Sequence, residues 1–291
     1  MQLIPSLFLS TRPRQWPKNA LVFAALIFSK NAFHPPMLVK TVAGFFVLCM
    51  ITGATYLFND IIDRHNDRNH PEKSKRPIAA GVLGVRTAAV AALIISLTGL
   101  VTAWLLERDF FILALVYLLL QLGYSILLKR VVILDVLAIT SGFVLRVLAG
   151  AVIIHVAISS WLLVCTFLLA LFLALCKRRH ELTLLGQKAD VHRTVLVDYS
   201  IPLLDQMISV TTASTVVAYT LYTMSEQTLA KFKTESLVYT VPFVIYGIFR
   251  YLYLVHIRKA GGSPEALLLT DPPLIIGIVL WAITAGAIIY F

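Results

Sequence analysis

The chain has 291 residues, of which 59% are hydrophobic and only 14% charged, against about a quarter charged in an ordinary soluble domain. This excludes a water-soluble enzyme and a disordered chain and leaves an all-α or β-barrel membrane protein. Lys and Arg number 25 against 15 Asp and Glu, a net charge of +10, an excess that in a membrane protein reports topology and contact with anionic lipid rather than nucleic acid.

In chain order, the N-terminal arm Thr11-Arg-Pro-Arg-Gln-Trp-Pro-Lys18 interrupts the apolar run before any small-residue cleavage site. No short cleavable leader is expected, and the first spans should serve as the insertion signal. Apolar runs near the roughly 17 to 25 residues that a helix needs to cross a bilayer recur nine times, near residues 19–35, 38–58, 86–106, 110–128, 133–154, 159–176, 205–225, 236–257 and 273–291. Lipid offers backbone groups no partners, and no ten-residue alternation suggests a barrel, so the spans are expected to be helices. No Gly/Ser or Pro-rich linker divides the chain, which predicts one transmembrane catalytic domain over 1–291. Cys49, Cys165 and Cys176 lie in apolar runs without the spacing of a disulfide framework or zinc site.

Numbering the gaps alternately puts 18 Lys and Arg on one side, from the arm and the gaps at 59–85, 129–132, 177–204 and 258–272, and five on the other. By the positive-inside rule the first side is cytoplasmic, which places the N-terminus inside and the C-terminus outside. The charged loops then face the compartment that holds soluble phosphorylated metabolites.

The stretch NDIIDRHNDRNHPEK follows the second span and carries Asp60, Asp63 and Asp67 at i, i+3 and i+7. On a helix these offsets share one face, and adjacent like charges are unfavourable unless a cation lies between them. Carboxylate oxygens suit Mg²⁺ shared with a phosphate group, whereas zinc would want thiolate or imidazole. Downstream, His70, Lys73, Lys75 and Arg76 supply donors for phosphate oxygens. Together these describe a metal–diphosphate cradle; the bland alternative is a solvated loop.

Asn59-Asp60-xx-Asp63-xxx-Asp67 resembles the first aspartate-rich motif of the UbiA-type intramembrane prenyltransferase superfamily. The longer string NDxxDxxxDxxHPxKxxRPIAxG, the arm from Arg12 through Lys18 to Asn19, Tyr124-Ser125-xxx-Lys129 and Arg146-xx-Ala149-Gly150 resemble its decaprenyl-phosphate phosphoribosyltransferase branch. So do Lys177-Arg178-Arg179-x-Glu181-Leu182 and Pro264-Glu265-xxxxx-Asp271. The resemblance implies nine helices in an all-α bundle and Mg²⁺ held by Asp60, Asp63 and Asp67, with Asn59 orienting them. Its implied reaction transfers phosphoribose from phosphoribosyl pyrophosphate to a polyprenyl phosphate at the inner face of the plasma membrane. Lys18, Asn19, His70, Lys73, Arg76, Tyr124 and Lys129 would contact substrate. Arg146, Lys177, Arg178, Arg179 and Glu181 would serve the donor's 5-phosphate or the acceptor's phosphate.

One departure bears on the donor. Ordinary prenyltransferases of this superfamily carry a second DxxxD motif after the sixth span, but here that loop reads CKRRHELTLLGQKADVHRTVLVDYS, and Glu181, Asp190 and Asp198 lack the spacing. A basic loop suits a donor richer in phosphate or an anionic lipid-phosphate acceptor; the bland alternative for Lys177 to Arg179 is a topology anchor, and the two roles are not exclusive. Arg146, inside a span, should face a polar cavity and have a partner. Asp135, eleven residues earlier, is either that partner, a metal or ribose contact, or half of an interhelical ion pair. Arg250 is read as snorkelling, and His155, Trp104 and Trp161 as interfacial residues without chemistry. The rivals are a prenyltransferase using the same fold and a transporter, for which paired broken helices in two halves would be expected.

Overall fold

A computed structural model describes residues 3–69, 73–185, 194–258 and 264–291. Every element in them is helical. The chain runs through α1 (Leu3–Ser10), a 3₁₀ run Pro13–Val22, α2 (Phe23–Phe28), α3 (Pro35–Arg68), α4 (Val85–Leu106), α5 (Arg108–Ile126) and α6 (Leu134–Ile153). It continues through α7 (Ser160–Leu185), α8 (Ile201–Met224), α9 (Glu226–Phe232), α10 (Val241–His256), α11 (Pro264–Thr270) and α12 (Pro272–Tyr290). Short 3₁₀ turns cover Lys73–Lys75, Leu128–Arg130, Thr194–Asp198 and Ser236–Thr240. Two compact units result, Met1–Ala157 and Ile158–Phe291.

Eight helices among the described residues are long and apolar enough to cross a membrane: α3 to α8, Ser236–His256 and α12. The first expected span, 19–35, takes another form. Pro13 and Pro17, four apart, lack the N–H donors of a regular α-helix, and the 3₁₀ geometry of Pro13–Val22 accommodates both. This segment runs antiparallel to α3. Arg12 meets Asp60, Asn19 meets Thr52 and Cys49, and Phe23 stacks on Phe45.

Within the first unit α3 and α6 are the most enclosed helices, with 50% and 56% of their apolar windows buried against 17% for α4. Their shared core includes Val22, Leu48, Ile51, Phe110 and Ile153. α4 instead presents Val90, Leu93, Leu97, Val101 and Leu105 outward, as a lipid-facing helix does. Gly150 lets α6 meet the arm at backbone distance, since a Cβ there would lie 1.9 Å from the Val22 carbonyl oxygen. Such close approach is the usual reason for small residues at helix contacts in lipid.

Gly150→Ala is therefore expected to lower stability by about 1–3 kcal/mol through overpacking. Gly286→Ala, where a Cβ meets nothing within 4 Å, should leave it unchanged. Thermal unfolding of both variants in one detergent checks the contrast.

Candidate active site

α3 continues ten residues beyond the expected apolar span, so Asp60, Asp63 and Asp67 stand on a regular helix and point one way. Each is paired. Arg12 Nη2 and Arg76 Nη1 both donate to Asp60 Oδ1, the latter at 3.1 Å. Arg76 Nη1 also donates to Asp67 Oδ2 at 2.6 Å, and Lys129 Nζ reaches Asp63 Oδ1 at 2.5 Å and Asn59 Oδ1 at 3.4 Å. Asp60 is 2% exposed and Asp67 4%, a depth at which an ionised carboxylate requires cationic or hydrogen-bonding partners.

Local sequence explains how the cations arrive. Arg12 has φ of 53°, a left-handed residue that turns the chain from α1 into the 3₁₀ run and lays its guanidinium 4.6 Å from the centre of the Tyr56 ring. The loop carrying Arg76 is pinned by Ile78, which is buried with Leu57, Leu83 and Ala88. Arg68 Nε donates to the Ala79 carbonyl at 3.1 Å, and Gly81 supplies the φ of 78° that closes the turn. Lys129 sits in the 3₁₀ turn Leu128–Arg130 that ends α5.

A second polar cluster lies deeper. Arg146 is 5% exposed and donates from Nε to Asn19 Oδ1 at 2.7 Å, from Nη1 to the Gly142 carbonyl at 2.8 Å and from Nη2 to Tyr117 Oη at 2.7 Å. Asn19, fully buried, donates in turn to Cys49 Sγ at 3.3 Å and accepts from Thr52 Oγ1 at 3.4 Å. Thr52 is eight residues before Asp60, about 12 Å of helix rise. The expected pairing of Arg146 with Asp135 fails on the same arithmetic, because eleven residues separate them by about 16 Å along α6. Asp135 is buried in the first turn of α6, and Tyr124 half-buried in the last turn of α5. Lys18 and Lys73 are half-buried, and His70 lies outside the described residues.

In the second unit α7 extends nine residues past the expected end of its span, so Lys177, Arg178, Arg179 and Glu181 are helical rather than looped. Arg178 donates to Glu181 Oε2 at 2.5 Å, and Arg179 to Asp205 Oδ1 at 2.5 Å, joining α7 to α8. Arg250 is bidentate on Asp271 at 3.0 and 2.8 Å rather than simply snorkelling. Asp271 also caps α12, accepting from the Leu274 N–H at 3.0 Å, and the Arg250 hydrogen bond holds its carboxyl below the usual range. Arg12, Tyr56, Tyr117 and Asp205 carried no role in the sequence-based expectations. Arg12 was visible only as part of the arm pattern, and the others stand in spans or at their edges, where no spacing marks them. His155, expected to be inert, meets Glu107 at 2.8 Å.

Mg²⁺ fits the carboxylates by the chemistry of the donor set. Asp60 Oδ1 and Asp67 Oδ2 converge on one nitrogen, Arg76 Nη1, so a cationic atom already stands between two hard oxygen donors. Asp63, held by Lys129 one turn away, is the third carboxylate on that face. Among the described residues no three acidic, His or Cys side chains are already gathered around one point.

Residues 20–267 match the UbiA prenyltransferase family. The chain is 33% identical over 298 residues to a decaprenyl-phosphate phosphoribosyltransferase of Mycolicibacterium smegmatis, spanning 99% of this chain and 94% of that protein. A decaprenyl-phosphate phosphoribosyltransferase of Corynebacterium glutamicum is 34% identical over 96% of this chain and 85% of its own. The fold also matches a UbiA homolog from Archaeoglobus fulgidus bound to GPP and Mg²⁺, with a TM-score of 0.73 at 20% identity over 98% of this chain and 100% of that one. With the aspartate-bearing face of α3 and a family match covering most of its length, this chain belongs to the UbiA prenyltransferase family.

Proposed function

We propose that the protein transfers phosphoribose from phosphoribosyl pyrophosphate to a polyprenyl phosphate and releases pyrophosphate. The observation that carries the reading is the acidic face of α3, met by Arg12, Arg76 and Lys129, in a chain alike over nearly its whole length to decaprenyl-phosphate phosphoribosyltransferases. The fold relatives' prenyl chemistry is the rival, and the absence of a second DxxxD motif after the sixth expected span favours the ribosyl donor.

An oxygen of the acceptor phosphate attacks the anomeric carbon, and the bond from that carbon to pyrophosphate breaks. The acceptor is already anionic at neutral pH, so no general base is required. Asp60, Asp63 and Asp67 would hold Mg²⁺, oriented by Asn59; bound there, the ion supplies charge stabilisation for the departing pyrophosphate. Arg76 and Lys129 lie beside these carboxylates and would take phosphate oxygens, with His70, Lys73 and Lys18 as further donors. Arg146 is set about 12 Å deeper by its link through Asn19 to Thr52, and would take a second phosphate away from the leaving group. Tyr124 and Asp135 would line the ribose. In the second unit, Lys177, Arg178, Arg179 and Glu181 stay candidates for substrate contact.

The same reading places the chain in the plasma membrane as one catalytic domain with nine crossings, the N-terminus and the acidic face of α3 being cytoplasmic. Two facts support the ninth crossing. The segment 13–28 runs antiparallel to α3, and ten 3₁₀ residues at about 2.0 Å plus six α residues at about 1.5 Å reach roughly 29 Å, close to the hydrocarbon thickness. This crossing starts earlier than the expected 19–35 and takes Arg14 and Lys18 out of the arm, leaving 16 basic residues on the cytoplasmic side against five.

Purified protein with Mg²⁺ should form product from labelled phosphoribosyl pyrophosphate and polyprenyl phosphate. It should form none from polyprenyl diphosphate and 4-hydroxybenzoate; product only in the second mixture overturns the donor. Asp60→Asn and Asp63→Asn should each lower turnover about 100-fold or more, and wild-type rates in both would remove the metal role. For topology, Lys75→Cys and Lys231→Cys, each in a background whose native cysteines are replaced by alanine, are labelled in intact cells with an impermeant maleimide. Only the Lys231→Cys protein should react before lysis.

A further inference from the structure

Arg76 holds the position between Asp60 and Asp67 with a single nitrogen, Nη1, at 3.1 Å from one carboxylate and 2.6 Å from the other. A divalent ion bridging those oxygens needs the same place, so guanidinium and metal exclude each other. Asp60 is 2% exposed and Asp67 4%, which leaves little room for both cations side by side. The backbone carrying Arg76 is fixed by the buried Ile78 and by the Arg68 bond to the Ala79 carbonyl. Displacement is therefore a swing of the side chain rather than of the loop. A guanidinium lifted from two carboxylates needs another anion, and its fork matches phosphate oxygens.

We propose that Arg76 couples the two ligands. It neutralises the acidic pair until a pyrophosphoryl group arrives, then transfers to that group and uncovers Asp60 and Asp67 for Mg²⁺. Arg12 remains on Asp60 and limits the charge left exposed during the exchange. By linkage the coupling is reciprocal: a pyrophosphoryl group strengthens metal binding by the factor that metal strengthens pyrophosphoryl binding. A monophosphate, with fewer oxygens to share between Arg76 and a metal, displaces the arginine less well, so the device also selects for the leaving group. The proposal rests on the reading of Asp60 and Asp67 as metal ligands.

The test is calorimetric titration of the detergent-solubilised full chain with MgCl₂ alone at constant ionic strength, which avoids the complex that Mg²⁺ and pyrophosphate form in solution. Arg76→Gln, which takes the guanidinium from both carboxylates and leaves Arg12 on Asp60, should bind Mg²⁺ at least tenfold more tightly than wild type and gain more thermal stability from it. Arg76→Lys, which keeps the charge but not the fork, should fall between them and carries the comparison if Arg76→Gln does not fold. Removing any cation beside the acids tightens Mg²⁺ binding, so a merely structural arginine predicts that gain without any loss of pyrophosphate affinity. In a second titration, inorganic pyrophosphate with Mg²⁺ present should bind wild type at least tenfold more tightly than Arg76→Gln. Equal affinity for Mg²⁺ alone in wild type and both variants, with pyrophosphate binding intact, overturns the coupling only. Absence of Mg²⁺-dependent pyrophosphate binding in wild type and variants overturns the coupling together with the proposed reaction.

Discussion

A carboxylate with almost no access to solvent, near the end of a membrane-length helix, sets the terms for the first unit. Asp60 cannot stay ionised there unless cations are brought to it, and losing one partner from such a buried pair costs about 3–5 kcal/mol. Two chain segments from opposite directions in sequence meet the requirement. The arm delivers Arg12 through a left-handed backbone turn, and the loop after α3 delivers Arg76 through a turn closed by Gly81. Both segments are also packed by apolar contacts, Leu7 and Ile78 lying against one cluster with Leu57 and Leu83. Charge pairing and hydrophobic burial thus specify the same arrangement, which is the mutual consistency expected of a well-defined native state.

Deeper in the unit, Arg146 poses the same problem with the sign reversed. A cation inside an apolar helix costs a few kcal/mol or more unless its donors are met. Asn19, Tyr117 and the Gly142 carbonyl meet them from the arm, α5 and α6. Asn19 can do so because its segment lies against α6 at backbone distance, which Gly150 permits. The 3₁₀ run is therefore a working part of the bundle, set by Pro13 and Pro17 and held by a polar contact at its centre.

Much of this was legible in the residues. The i, i+3, i+7 spacing placed three carboxylates on one helical face, the basic run after them anticipated Arg76, and hydropathy found eight helices of membrane length. The rest depended on pairings that spacing does not encode. Arg12 and Asp60 are 48 residues apart, and Lys129 and Asp63 are 66 apart. Hydropathy also missed the form of the first span, because a window average does not register two prolines four residues apart. The Asp135–Arg146 expectation treated a shared helical face as contact, although faces align over many turns while side chains reach across only one.

The ion pairs on α7 and those at Asp60 and Asp67 differ in which partner is hidden. In the second unit Arg178 is 1% exposed against 25% for Glu181, and Arg179 15% against 37% for Asp205. The cation is enclosed and the acid faces out, within α7 in the first pair and between α7 and α8 in the second, so that a buried charge is satisfied. Around Asp60 and Asp67 the order is inverted, while Lys129 at 13% against 26% for Asp63 keeps it. Asp60 and Asp67 are 2% and 5% exposed in their side chains, while Arg12 and Arg76 are 25% and 24% exposed. An approaching anion meets guanidinium first, in a setting where the carboxylates beneath are shielded from repelling it by those same groups. Once an arginine turns toward that anion, the acids below lose a counter-charge that only another cation can replace. At Asp60 and Asp67 that burial order favours anion before metal on the proposed reading, and it is the geometry of the shared Arg76 nitrogen, not exposure alone, that separates this pair from a structural tie such as Arg250 on Asp271.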